Sequence, residues 1–219
     1  MMLKFKCSVL VIVICSSNIF AQFYEAIEKN AVNYFLSLAD DSSKSQMEFE
    51  ILKTALYSDI DIKEFENTYQ ITKHELDSLK EHFNGYESQL KNISNDSASV
   101  LFNQWYLHFS NIFYNYADEK FFSSGKTKIL FFSASMSCQC TLDMCKKQTI
   151  EILNLAKEKN LDYWIVDSYE YNALQIKYET FFAPSIILFD SNNKVLYKIE
   201  YDDNLLSKLS EFINAKLKG

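Results

Sequence analysis

The chain contains no arginine: its 22 basic residues are all lysines, set against 29 acids for a net charge of −7. Phosphate and nucleic-acid recognition lean on basic patches and on the bidentate guanidinium fork, so neither class fits. Glycine is as scarce. Gly85, Gly125 and Gly219 are the only three, which leaves no glycine-rich loop to cradle a phosphate. Histidine is limited to three, and His74 and His82, eight apart on an expected helix, lack the paired spacing of a zinc site. They read as surface residues, and no Ser/His/Asp nucleophile turn accompanies them. With one proline in 219 residues, Pro184 is expected to serve a positional purpose. What the chain does have is apolar and aromatic side chains, 48% and 16% of residues, enough for a core and unlike a disordered or collagen-like chain.

Residues 1–21 (MMLKFKCSVLVIVICSSNIFA) combine a short basic start, Lys4 and Lys6, with an apolar run from Cys7 to Cys15 too short to span a bilayer. Ala21 supplies a small residue at a cleavage point, although Ile19 stands where another small residue is expected. The segment reads as a secretory signal peptide; an uncleaved anchor is the rival, and bulky Ile14 disfavours lipidation at Cys15. Export implies a periplasmic or secreted protein with no transmembrane span after cleavage. It leaves Cys138, Cys140 and Cys145 where disulfides persist. An odd cysteine count there implies a free thiol, an intermolecular bridge or a bound metal.

Residues 22–124 predict an all-helical region. Phe23, Ile27, Ala31, Phe35 and Leu36 recur at helical spacing, as do Met47, Ile51, Leu52 and Leu56. Thr72 and Glu75 form a capping box at a helix start. Phe102, Trp105, Phe109 and Phe113 share one face of a core helix. Ser123-Ser124-Gly125 breaks the composition, and a second domain is placed at 126–219.

There the pattern becomes β-α-β-α-β-β-α, an α/β fold. Apolar runs at 129–132, 163–166 and 186–189 suit buried strands, and Val195, Tyr197, Ile199 and Tyr201 alternate as a half-exposed one. The expectation is a parallel sheet closed by a hairpin. Ser168 is placed as the cap of the second helix and Asp203 as the cap of the last.

Between the first strand and its helix lies Ser137-Cys138-Gln139-Cys140, with Cys145 further on. A helix N-terminus presents unpaired N–H groups and the positive end of the macrodipole, which favours the thiolate, the attacking species. Lys146 and Lys147 add positive charge nearby or are simply solvated.

Over residues 126–218 this arrangement resembles the thioredoxin superfamily, of the exported bacterial thiol–disulfide oxidoreductase type. The resemblance rests on the cysteine site, the element order and Pro184 directly before a strand. It implies a cis bond at Ala183–Pro184, with both residues shaping a substrate-binding edge beside redox cysteines. The motif departs from the family. Ser137 stands at the nucleophile position, Met136 replaces the preceding Trp, and Phe131 sits where many members bury a proton-relaying acid.

Three readings follow. Cys138 and Cys140 form a strained, relatively oxidising Cys-x-Cys pair; or Cys138 pairs with Cys145, seven residues and nearly two turns away; or all three bind Cu(I), helped by Met136 or Met144. Against these, Leu142, Cys145, Thr149, Leu153 and Ala156 share a helix face, so Cys145 also reads as a small core residue. The leading expectation is thiol–disulfide exchange by catalytic Cys138 and Cys140. Cys145 is a possible third redox or structural cysteine. No cofactor is expected, and the partners are protein thiols or disulfides and a redox partner protein. The alternatives are a copper(I)-binding or copper-delivery protein and a redox-inactive scaffold for partner binding.

Overall fold

A computed structural model of the chain describes residues 17–216 apart from 41, 91 and 92. The signal segment expected over 1–21, with Cys7 and Cys15, lies outside the described residues up to residue 16; the backbone of 17–21 already belongs to the first helix. Six helices lead the described part: α1 (Ser17–Asp40), α2 (Ser42–Leu56), α3 (Ile62–Tyr69), α4 (Lys73–Leu90), α5 (Asn95–Ile112) and α6 (Tyr114–Ser123). Then come β1 (Lys128–Ser133), α7 (Gln139–Lys159), β2 (Asp162–Asp167), α8 (Asn172–Tyr178), β3 (Ser185–Phe189), β4 (Val195–Glu200) and α9 (Leu205–Lys216). Among the described residues no helix is long and apolar enough to cross a membrane.

The start of α4 follows from its sequence. Thr72 N donates to Glu75 Oε2 at 2.7 Å and Glu75 N donates to Thr72 Oγ1 at 3.3 Å, the reciprocal bonds of a capping box. On α5, Phe102 stacks on Trp105 and Trp105 on Phe109, and all three are buried. In α2 the buried stripe is Phe49, Leu52 and Leu56, while Met47 and Ile51 are exposed, because only one side of this helix meets α1. The expected caps also shift. Ser168 bonds through its N–H to Ser133 O, Tyr171 occupies the α8 cap position, and Asp202, not Asp203, takes the Leu205 N–H at the head of α9.

The sheet has the order β2-β1-β3-β4 and is mixed. β1 and β2 run parallel, whereas β3 lies antiparallel to both β1 and β4. This corrects the expected parallel arrangement. A parallel β3 would need a crossover returning the chain to the far end of the sheet. Residues 168–184 contain only the seven-residue α8 and bring the chain back to the end where β2 finished. Ser133 is level with Asp167, Phe132 with Ser185, and Ser185 with Glu200. The segments after β1, β2 and β4 and the one before β3 therefore share one sheet end.

Both faces of β1 are buried. Rings of Phe121, Phe122 and Tyr178 lie on Trp164 and Phe189, covering one face. Over the other, α5 and α7 meet at Ser133: Asn103 Nδ2 donates to Ser133 Oγ at 3.3 Å, and Thr149 Oγ1 donates to Asn103 Oδ1 at 3.2 Å. A single buried apolar cluster runs through the helical region and the sheet.

Candidate active site at the mouth of α7

The strand β1 ends in Ser133, and a five-residue turn, 134–138, carries the chain into α7. Cys138 is the N-cap, with extended backbone (φ −65°, ψ 154°), and its carbonyl accepts from Thr141 N and Leu142 N. Cys138 and Cys140 are exposed, and their sulfurs stand 2.7 Å apart. The Thr141 hydroxyl lies 3.3 Å from Cys138 Sγ. Hydrogen bonding from the Cys140 thiol first, and from Thr141 next, draws the Cys138 thiol down to about 7. A substantial thiolate fraction therefore exists at neutral pH.

Cys145 is different. It is fully buried, its carbonyl accepts from Thr149 Oγ1, and its sulfur sits against Ser133 and the Ala134 N–H. Burial is the main cause that pushes its thiol up to about 11, and the Asp167 carboxylate adds to it. The thiol is thus protonated and shut away from solvent. Among the described residues, no group of three or more His, Cys, Asp and Glu side chains comes together to hold a metal ion. Lys146 and Lys147 are paired with Asp96 and Glu151.

The Ala183–Pro184 bond is cis, and Pro184 precedes the β3 residue level with Phe132. Ala183 and Pro184 therefore lie at the sheet end from which the cysteine turn departs. Exposed apolar side chains gather in the same neighbouring segments: Met136 (63% exposed), Phe181 (65%) and Phe182 (62%). Phe182 also contacts the ring of half-exposed Tyr201.

Asp167 escaped the sequence reading. It is 1% exposed, at the end of β2 beside the cysteine turn. Its Oδ1 accepts from Ser135 N (3.3 Å) and Tyr169 N (3.0 Å), whereas its Oδ2 is buried without a hydrogen-bond partner. An unsatisfied buried oxygen costs free energy and marks a group worth a functional explanation. Its signal in the sequence was an acid closing an apolar strand run. Gln104 was missed as well: from α5 its Nε2 donates to Ser135 O at 3.1 Å, clamping the same turn. The chain matches no protein-family model and no curated protein.

Proposed function

We propose that this protein carries out thiol–disulfide exchange on other proteins, with Cys138 as nucleophile and Cys140 as resolving thiol. The observation that carries the reading is the exposed pair of sulfurs, 2.7 Å apart, with the Cys138 thiol drawn down to about 7. In the reducing direction, the Cys138 thiolate attacks one sulfur of a substrate disulfide. The Cys138–substrate bond forms, the substrate S–S bond breaks, and the departing sulfur takes a proton. Cys140 then loses its proton and attacks Cys138 Sγ, releasing the second substrate thiol and leaving a Cys138–Cys140 disulfide. Two electrons pass from the pair to the substrate, and a redox partner protein restores the dithiol. Asp167, buried beside the turn with one oxygen unpartnered, is the group we assign to proton exchange with the site.

The thioredoxin-like assignment belongs to this proposal. It is supported by the strand-to-helix cysteine site, the element order of residues 128–216 and Pro184 at the head of β3. Ala183 and Pro184 would form the edge along which an extended substrate segment lies, with Met136, Phe181 and Phe182 meeting its apolar side chains. Residues 1–21 would direct the protein to a periplasm or the exterior, where substrate disulfides occur.

The test is to replace Cys138 and Cys140 separately by serine and look for covalent adducts. Cys140→Ser should accumulate mixed disulfides on Cys138 that dithiothreitol releases, and Cys138→Ser should accumulate none. Adducts on Cys145, or none with either variant, would sink the proposal.

A further inference from the structure

Of the large apolar side chains exposed among the described residues, half stand in the four segments at one sheet end. They are Met136 after β1, Tyr169 after β2, Phe181 and Phe182 before β3, and Tyr201 after β4. The exposed cysteines leave the sheet at that same end. Apolar side chains gathered in this way mark a surface that meets another molecule. The backbone that carries three of them is laced together. Phe181 N donates to Glu200 Oε2 at 3.0 Å, Tyr201 N donates to Pro184 O at 2.9 Å, and Ser185 Oγ donates to Phe182 O.

Tyr201 stands apart within this group. Its φ of 43° lies in the left-handed region, where a bulky side chain is strained. The other non-glycine residues with positive φ are Gln70, Asn160 and Glu179, which close helices, and Asn193, in the turn between β3 and β4. Tyr201 alone among them is aromatic, and its backbone holds an exposed ring beside that of Phe182, the centroids 6.5 Å apart. Glycine or asparagine would sit there with less strain. Strain kept at an exposed aromatic beside a reactive turn points to recognition. The free charges nearby have one sign. Lys146, Lys147, Lys198 and Lys208 are paired with Asp96, Glu151, Glu200 and Asp202. Glu170, Glu179 and Asp203, in the same segments as the exposed rings, are themselves exposed and have no lysine partner among the described residues.

We propose that the Phe182 and Tyr201 rings select the substrate: an extended polypeptide whose disulfide cysteine is flanked by one large apolar and one basic residue. The inference rests on the exchange reading above and adds to it the class of substrate. The apolar side chain lies across both rings, whose exposed faces are open as they stand. The basic residue meets the unpaired carboxylates, which repel an acidic one.

A competition in one tube tests this. Peptides with a cysteine flanked by Leu and Lys, by Ser and Lys, or by Leu and Glu are mixed in equal amounts as homodimeric disulfides. The full chain carrying Cys140→Ser, in which adducts stay on Cys138, is added, and each adduct is counted by mass spectrometry. Yields are divided by those from 2-mercaptoethanol, a neutral thiol with no surface of its own. The Leu–Lys adduct should exceed the Ser–Lys adduct at least about fivefold. It should exceed the Leu–Glu adduct about threefold, a ratio that falls toward one in about 0.5 M salt. Adding Tyr201→Asn, or separately Phe182→Ser, should bring the first ratio below about two while the second persists, which unfolding would abolish. Equal adducts from all three peptides, or both variants keeping the first ratio, would overturn this inference and leave exchange standing. No adduct with any peptide would overturn exchange and this inference together.

Discussion

The two ends of the first two turns of α7 hold the same residue type in opposite conditions. At the mouth, Cys138 and Cys140 are open to solvent, and the Cys138 thiol is held near 7. Two turns in, Cys145 is sealed from solvent, and burial pushes its thiol to about 11. The difference comes from neighbours. Both sulfurs meet hydrogen-bond donors, but at the mouth these prevail, whereas within the helix desolvation, aided by a nearby carboxylate, outweighs Ser133 and the Ala134 N–H. Reactivity along one helix is therefore decided by how far each sulfur is removed from solvent and by which donors reach it.

Substitution should break this comparison most sharply. Cys138→Ser is expected to reduce exchange with a small aromatic disulfide to background, and Cys145→Ala to leave it within about twofold while costing about 1 kcal/mol in a denaturant melt. Comparable losses in both would erase the distinction. Alkylation should sharpen it. With iodoacetamide, labelling of Cys138 should be half-maximal at about pH 7 and fall about tenfold for each further unit of acidification, because only the thiolate reacts. Cys145 should label only after unfolding; mass mapping of the modified peptides decides this. Asp167→Asn keeps the oxygen that accepts from Ser135 and Tyr169 but removes the acid. It should slow exchange about tenfold with helix content unchanged, and an unaltered rate would remove Asp167 from the proton path. The smallest effect is expected of Gln104→Ala: loss of one bond to Ser135 O should cost about 1 kcal/mol and change exchange about twofold.

Local rules carried much of the sheet region. Continuous apolar runs located β1, β2 and β3 to within a residue or two, since strands buried on both faces need such runs. Cys138 and Cys140 stood out for the opposite reason: two cysteines between a strand and a helix have no packing purpose, and both are exposed. Strand direction was not legible, because nothing in residues 168–184 states at which sheet end the chain re-enters. Asp167 was hidden because its isolation depends on Ser135 and Tyr169 folding back over it, a tertiary circumstance. Tyr201 was passed over because it closes the alternation of a strand, and only the entry of β3 beside it turns that ring into part of a surface. The exposure of Met47 and Ile51 likewise reflects which neighbour α2 happens to meet.

The reach of Asn103 from α5 to Ser133, with Thr149 fastened to its far side, bears on portability. A fragment cut at Gly125 would lose that amide and the aromatic helix bearing it, and would present the underside of its own reactive turn to water. Anyone transplanting the sulfur chemistry into another scaffold must carry α5 along with it.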